Sequence, residues 1–534
     1  MVGPAVQVRM LRRRLGSLWN VFFGGFGRLT EVQMAAMPLL LDRHNAVICS
    51  PTASGKTEAV LAPIVRHLLD AGSGRPGPEV LYIAPTRALV ADLERRLAPL
   101  FRQVDVTAAF RTSDSPHLPA VFPQVLVTTP ESFDSLLGRK RTVWKHLRVL
   151  ILDELHLLDH TSRGDQLRVL LHRLQAEHVQ GTLHKIAMSA TIPDPEGMAK
   201  RYLGEARLVT VGEARPLDFK VVTSLADAIA LCRAEKRHKI LVFCNARRDC
   251  EELAAQAVEG RLWPRDAVFV HHASLSRAVR REVEAALRES SIALCFATMT
   301  LELGIDIGDI NAAVCYQPPP DLDAFQQRLG RACRRERRIF ALGIAKDLLQ
   351  EEAFRVYEEM THEAQSNRVE YSPDLSVVVQ QVLSTLFAHP GGVERQVMFE
   401  HVAMLCEPDE YLAILLHLTE EDYVQVRGWR LLATERTMDL GEKGEVHSNI
   451  ADTRAMEVYD SQSGRVIGQV AWSPDAKEVV LGGRYWKITG RGGSRLHVAP
   501  TGRPVKAGRF RRRSGHGRFH DLLPSFLQAP PPGS

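Results

Sequence analysis

The sequence predicts an α/β protein: two tandem domains of parallel sheet with flanking helices, followed by a winged helix and a small β module. Three observations carry the prediction. Across residues 17–368, short apolar runs alternate with stretches of helical period, as βαβ units require. The runs are apolar throughout instead of alternating, which marks strands covered on both faces. The pattern also restarts near Val211, so two sheets are expected.

In order, a basic segment (1–16) precedes the first α/β domain, 17–210, with strands at "NAVICS", "VLYIAP", "VDVTAAF", "QVLVTTP", "LRVLILDE" and "HKIAMSAT". The second, 211–368, has "KILVFCNA", "AVFVHH", "IALCFAT", "INAAVCYQ" and "IFALGI". Two such domains in tandem suggest a ligand cleft between them. From 369 to 438 helical stretches precede the hairpin "VQVRGWRLLAT", which fits a winged helix. Residues 439–500 hold short β segments broken by "SQSGR" and "SPDAK", as in a small β-barrel or β-sandwich. The last segment, 501–534, is basic and expected to be partly disordered: no Asp or Glu falls between Glu478 and Asp521, and the chain ends in "QAPPPGS".

Composition sets outer bounds. The 534 residues are 45% apolar and 25% charged, the makeup of a chain that buries real cores. A net charge of +5 is modest at this length. Eight cysteines lie scattered without a CxxC pair or zinc-like spacing, which points to reduced thiols. Arg9 and Arg12–Arg14 precede "LGSLWNVFFGGFG", but that apolar part is short and mixed, so a secretory signal is not expected. No run reaches the ~18 apolar residues of a membrane span. A cytoplasmic protein is expected.

The chemistry starts at "AVICSPTASGKTEAVLAPIV". Small residues Ala53, Ser54 and Gly55 between a strand and a helix let backbone N–H groups form an anion nest at the helix N-terminus. Lys56 would reach β- and γ-phosphates, and Thr57 would hold Mg²⁺. Ser50 stands where the Walker pattern has its first Gly, so a turn with a surface lysine is the alternative. Downstream, "VLILDELH" delivers Asp153 and Glu154 to the end of an apolar strand, where unpaired buried charge is costly. Asp153 would hold Mg²⁺ through a water; Glu154 would orient and deprotonate an attacking water. A helix N-cap acid pair is the bland alternative. In "QQRLGRACRR", Gln327, Arg331 and Arg334 fall at i, i+4 and i+7 and are expected on one helical face. Two arginines there could neutralise transition-state charge, against the alternative of a solvated basic helix.

These motifs together resemble a superfamily-two DEAD/DEAH-box-like helicase with two RecA-like domains. "LTEVQ" resembles the Q motif, with Gln33 implied to read adenine. "SPTASGKT" resembles motif I, including Thr52, with Ala53 in place of the usual Gly. "APTRALVADL" and "TTPES" resemble motifs Ia and Ib, "DELH" motif II, and "SAT" (Ser189 to Thr191) motif III. "LVFCNARRDCEEL", "ATMTLELGIDIG" and "QRLGRACR" resemble motifs IV, V and VI. Within that superfamily, "DELHLLDHTSRGDQL", "HHASLSRAVRREVE", "TLELGIDIGDI", "DLSVVVQQVLS" and "LGGRYWKI" resemble the Lhr (large helicase-related) family. Cys333 departs from it, standing where the family commonly has Gly.

The resemblance implies ATP and Mg²⁺ as cofactors, Asp306 at the ribose, and coupling through Ser189 and Thr191. It implies strand contacts from Thr86, Arg87, Thr129, Pro130, Asn245, Arg247 and Thr298. The implied activity is ATP-driven 3′-to-5′ stepping on single strands, with unwinding of tailed DNA duplexes and RNA–DNA hybrids, as in repair. A Ski-type RNA helicase and an ATP-gated subunit of a repair or defence complex are the alternatives. "NAAVCYQPPPDLDAF" is expected to form a duplex-splitting hairpin, or else a plain connection. The winged helix is expected to brace the two motor domains. Trp429 and Trp486 could stack on bases, although a core position is the commoner fate of Trp. The Arg-rich tail would add salt-dependent affinity for nucleic acid, or serve only as a solubilising segment.

Overall fold

The computed structural model describes residues 4–25, 27–51, 54–72, 77–119, 121–139, 141–190, 194–211, 215–301, 308–320, 322–333, 336, 338–362, 371–450, 455–471, 478–482, 484–492, 495–501 and 517–528. The chain forms two compact units. One joins Met1–Gly212, Val369–Asp452 and Ser514–Ser534; the other joins Glu213–Arg368 and Thr453–Arg513.

In the first unit, strands β1 (Ala46–Cys49), β2 (Val80–Ile83), β3 (Ala108–Arg111), β4 (Val125–Thr128), β5 (Val149–Leu152), β6 (His184–Ser189) and β7 (Arg207–Thr210) form one sheet. It is wholly parallel, in the order β3-β4-β2-β5-β6-β1-β7. The inner strands β1, β2, β4 and β5 are buried on both faces because each face meets its own core. Ala46 and Ile48 join the core that holds the helices Glu31–Leu41 and Lys56–Ala71, whereas Val47 and Cys49 join the one that holds Pro130–Arg139 and Ser162–Glu177.

The winged helix completes this unit. Its helix Ser376–Ala388 is buried almost all round, packing on Pro130–Arg139 and Ser162–Glu177. Helices Arg395–Val402 and Pro408–Glu420 follow, with a sheet of β14 (Val393–Glu394), β15 (Val424–Arg427) and β16 (Arg430–Ala433) in the order β14-β16-β15. Its core takes in Val169 of the first α/β domain and Phe519 and Leu523 of the C-terminal segment. Residues 517–528, expected within a basic tail, are therefore packed chain: Arg518 pairs with Glu445 at 2.5 Å and Phe519 N–H donates to Asn449.

In the second unit, β8 (Leu217–Val222), β9 (Lys239–Cys244), β10 (Val268–His271), β11 (Ala293–Ala297), β12 (Ala312–Tyr316) and β13 (Ile339–Ile344) form a second parallel sheet, β10-β11-β9-β12-β13-β8. A five-stranded sheet completes this unit: β17 (Ala455–Asp460), β18 (Arg465–Ala471), β19 (Glu478–Leu481), β20 (Arg484–Gly492) and β21 (Arg495–Pro500), ordered β18-β17-β21-β20-β19. Glu251, from the helix Arg247–Glu259, accepts the Gly482 N–H at 2.6 Å and His272 Nε2 at 2.8 Å, which ties the two sheets together.

One expected element is corrected here. "NAAVCYQPPPDLDAF" is not a hairpin. Its apolar "AAVCY" is β12, a buried strand between β9 and β13, and a short connection leads straight to the helix Leu322–Leu329. An apolar run covered on both faces cannot also project as a wedge.

Candidate active site

In the first sheet β6 lies between β1 and β5, so three motifs emerge side by side at the C-terminal edge: Ser50 after β1, Ser189 ending β6, and Asp153 after β5. Open parallel sheets place ligands at this edge. The Ser50 N–H donates to Ser189 O at 3.3 Å, which locks the start of the loop to motif III.

The loop after β1 is tied down by its own polar groups. Ser50 Oγ and Ser54 Oγ are 2.7 Å apart, so the serine in the place of the Walker glycine closes the loop with a hydroxyl pair. Gly55 has φ +88°, and a Cβ there would lie 2.5 Å from Gln33 Nε2. The angle favours glycine, and a Cβ would also push on the Gln33 amide. Lys56 is buried and its Nζ donates to Ser50 O at 2.6 Å and Pro51 O at 3.3 Å. Thr57, next in the helix, is half-buried.

Gln33 does more than the Q-motif resemblance implies. Its Oε1 accepts the Thr30 N–H at 3.0 Å while its own N–H donates to Thr30 Oγ1 at 3.3 Å, a reciprocal N-terminal cap. Its Nε2 reaches Gly55 O at 3.5 Å. The residue thus joins the helix start to the loop after β1.

The acid pair is held from three sides. Tyr82 donates to Asp153 Oδ2 at 2.6 Å, and the Glu154 N–H to Oδ1 at 2.9 Å. Burial, and then the Glu154 charge, pushes the Asp153 carboxyl up to about 7, against the hydrogen bond from Tyr82 and the Lys56 charge. Glu154 itself has φ +42°, a left-handed backbone where the strand gives way to the short turn Leu155–Leu157. His156 Nδ1 lies 3.6 Å from Glu154 Oε2 and accepts the Ala190 N–H at 3.2 Å, with Ser189 Oγ at 3.3 Å. Motifs II and III are therefore bonded through one imidazole. Tyr82 and His156 were missed at the sequence level. His156 lies within the quoted "DELH", but a tyrosine in an apolar strand reads only as core.

The implied strand-binding residues carry structural duties as well. Thr86 caps the helix Arg87–Gln103 by accepting the Leu89 N–H at 3.2 Å, and its hydroxyl retains a proton to donate. Arg87 pairs with Asp114 at 2.5 Å on the surface. Thr129 is buried, accepting the Ser132 N–H at 3.4 Å, and Pro130 opens the next helix.

In the second unit, Asn245 Nδ2 donates to Pro318 O at 2.8 Å and its Oδ1 accepts Arg328 Nη1 at 2.9 Å, which links motifs IV and VI. Arg328, absent from the expected set, is buried over the Phe243 ring. Arg247 donates to Ser274 Oγ, and the Thr298 N–H to His271 O at 3.3 Å.

The expected helical face of Gln327, Arg331 and Arg334 is also corrected. The helix stops at Leu329, and Gly330 starts a turn that carries the buried Arg331 to a bridge between Ala332 and Ile310. Glycine is a poor helix residue, and here it marks the end of one. Gln327 stays on the helix, half-buried, while Arg331 does not. Cys333 has φ +53°, which explains why glycine suits its position. Thr52, Ala53, Thr191, Asp306 and Arg334 lie outside the described residues.

Of the two tryptophans, Trp486 is core, its Nε1 donating to Leu481 O at 2.9 Å. Trp429 is not: it is 78% exposed at the tip of the wing.

Known proteins resemble this chain in sequence and fold. The DEAD/DEAH box helicase family matches residues 30–198, and the helicase conserved C-terminal domain matches 221–336. The chain belongs to the superfamily-two helicases of the DEAD/DEAH-box-like type, a class of ATP-dependent enzymes. Within that class it is similar to Lhr proteins. The ATP-dependent helicase Lhr-Core of Saccharolobus solfataricus is 32% identical over 342 residues, covering 57% of this chain and 39% of the relative. Lhr-Core protein 2 of Thermococcus barophilus is 28% identical over 552 residues, covering 90% and 63%. The chain thus spans only part of each relative's length. The solved structure of Mycobacterium smegmatis Lhr, bound to single-stranded DNA and AMP-PNP, shares the fold with a TM-score of 0.71 at 24% identity, covering 83% of this chain and 63% of that one.

Proposed function

We propose that the chain is an ATP-driven 3′-to-5′ helicase or translocase that steps along single-stranded DNA and opens tailed DNA duplexes and RNA–DNA hybrids. The observation that supports it best is the bonded set at one sheet edge: the phosphate loop to Ser189, and Ser189 and Ala190 to His156 beside Glu154. Such a chain of contacts can pass a change at the acid pair into motif III.

The donor set fits a hard divalent cation, since a carboxylate and a hydroxyl are oxygen ligands and Asp153 is raised by burial beside Glu154. Asp153 and Thr57 would hold Mg²⁺, which when bound neutralises phosphate charge. Lys56 and the loop amides of 52–55 would grip the terminal phosphates of ATP, with Gln33 near the base and Asp306 at the ribose. Glu154 would orient the attacking water and accept its proton. Gln327, Arg331 and Arg334 would supply positive charge from the second domain.

Strand contacts fall to Arg87, Asn245, Arg247 and the Thr86, Thr129, Pro130 and Thr298 loops, which suit phosphate oxygens and carry no sequence code. The similarity to Lhr proteins supports this reading, as does the solved relative with single-stranded DNA.

Tailed duplexes test it. Unwinding with a 3′ DNA tail and none with a 5′ tail is expected. Unwinding confined to RNA tails would replace it with the Ski-type reading. Nucleic-acid-dependent ATPase with no unwinding would leave the gated subunit.

A further inference from the structure

A winged helix ordinarily meets DNA with its third helix in the major groove. Here that helix is Pro408–Glu420, and its chemistry is wrong for the task. From residue 396 to 426 there is no Lys or Arg, while Glu400, Glu407, Asp409, Glu410, Glu420, Glu421 and Asp422 are all acidic. The outward positions Leu412 and Leu416 are apolar and exposed. An acidic, apolar helix repels phosphates.

The hairpin beside it has the opposite character. Arg427 and Arg430 pair across the ladder and flank a two-residue turn, Gly428-Trp429. Gly428 has φ +59°, the backbone such tight turns need at their first position. The turn lifts Trp429 off the core, and its backbone is pinned: the Arg395 N–H donates to Trp429 O at 2.9 Å. The Arg395 guanidinium lies 5.8 Å from the centre of the indole ring, and Arg395 O accepts Tyr411 Oη at 3.1 Å. Arg430 Nη1 donates to Gly391 O at 3.1 Å. Three arginines and one acid, Glu394 opposite Arg430, leave the tip cationic. A rigid indole standing in water among arginines is the composition of a stacking platform for unpaired bases.

We infer that the wing, not the third helix, is a nucleic-acid contact: Trp429 stacks on an unpaired base while Arg395 and Arg427 meet the flanking phosphates. This rests on the nucleic-acid reading above and adds a contact outside the two α/β domains. It also reverses the expectation that Trp429 is core. The base stacks on the ring surface left open, and the pinned turn keeps the ordering entropy small.

The test is the affinity of the full chain for labelled single-stranded poly(dT) and for an abasic strand of equal length, across a salt series. Trp429→Ala is expected to weaken poly(dT) binding by about 5- to 150-fold, the range of one lost base–aromatic stack, with melting temperature unchanged. Trp429→Phe should retain most of the affinity, and abasic strands should bind the wild type and Trp429→Ala alike. Arg427→Ala should lower the salt slope by about one phosphate contact. Equal poly(dT) affinity of Trp429→Ala and wild type would overturn the inference while leaving the motor reading intact. Absence of single-strand binding by the wild type would instead overturn the motor reading.

Discussion

His156 Nδ1 accepts the backbone N–H of Ala190 at 3.2 Å, so the imidazole that follows the acid pair is the acceptor holding the motif III turn. A nitrogen that accepts from an amide carries no proton, and in the neutral ring the proton then sits on Nε2. His156→Ala removes the acceptor and leaves a backbone N–H without its partner. A lost hydrogen bond of this kind is worth about 1 kcal/mol, roughly fivefold in an equilibrium. Duplex unwinding per ATP hydrolysed is expected to fall by about that factor or more, with ATP affinity nearly constant. Parallel measurement of phosphate release and strand separation checks it.

Asp134 predicts a larger effect. Its carboxylate is fully buried and collects Gln166 Nε2 at 3.0 Å, Gln380 Nε2 at 3.1 Å, Gln381 Nε2 at 2.7 Å, His447 Nδ1 at 3.1 Å and the Ser384 hydroxyl. Against burial, the His447 hydrogen bond and charge, then Arg173 and Ser384, hold it down at about 2. Asp134→Ala strands several buried donors at the seam between the first α/β domain and the winged helix. A loss of about 3–5 kcal/mol is expected. Thermal unfolding and limited proteolysis of the winged helix read it.

Acid should loosen the same unit. Burial lowers His401 and His184 to about 4 each, from an ordinary value near 6.5. The folded state therefore refuses protons that the unfolded state accepts between those values. Stability is full above about 6.5 and declines as pH falls towards 4. Glu177, 3.6 Å from His401 and held at about 2, stays ionised throughout. Melting temperature against pH should drop over this window, and His401→Gln should flatten the decline.

Cys333 tests the motif VI turn. At φ +53° its Sγ donates to Asn311 O at 3.0 Å and its carbonyl accepts Arg215 Nη1 at 2.5 Å. Cys333→Gly relieves the backbone and loses the buried sulfur, so stability should change by less than about 1 kcal/mol. Cys333→Val places a β-branched residue in a left-handed backbone and should cost about 2 kcal/mol. Denaturant melts separate the two.

Much of the site is visible in sequence because loop motifs are local. Ser54, Gly55 and Lys56 must follow β1, and Asp153 must follow β5, for one sheet edge to gather them. What escapes is tertiary. Tyr82 sits in an apolar strand, and only the neighbouring strand end reveals its partner. Gln380 and Gln381 read as ordinary helix residues until Asp134, far away in sequence, is seen to need them. The helix expected across Gln327, Arg331 and Arg334 ends at Leu329, because periodicity alone does not register the turn from Gly330 that carries Cys333. Trp429 is expected in a core by the general habit of tryptophan, and its hairpin turn overrides that habit.

On the proposed function, Glu154, close to Lys56, couples ATP hydrolysis to movement along a nucleic acid. The most direct measurement is phosphate release by wild type and Glu154→Gln, with and without single-stranded DNA, alongside equilibrium ATP binding. DNA is expected to stimulate the wild type strongly, with the variant binding ATP normally and turning it over at least about a hundredfold more slowly, the scale of a lost general base. Equal turnover by the variant, or a wild-type rate indifferent to DNA, would contradict it.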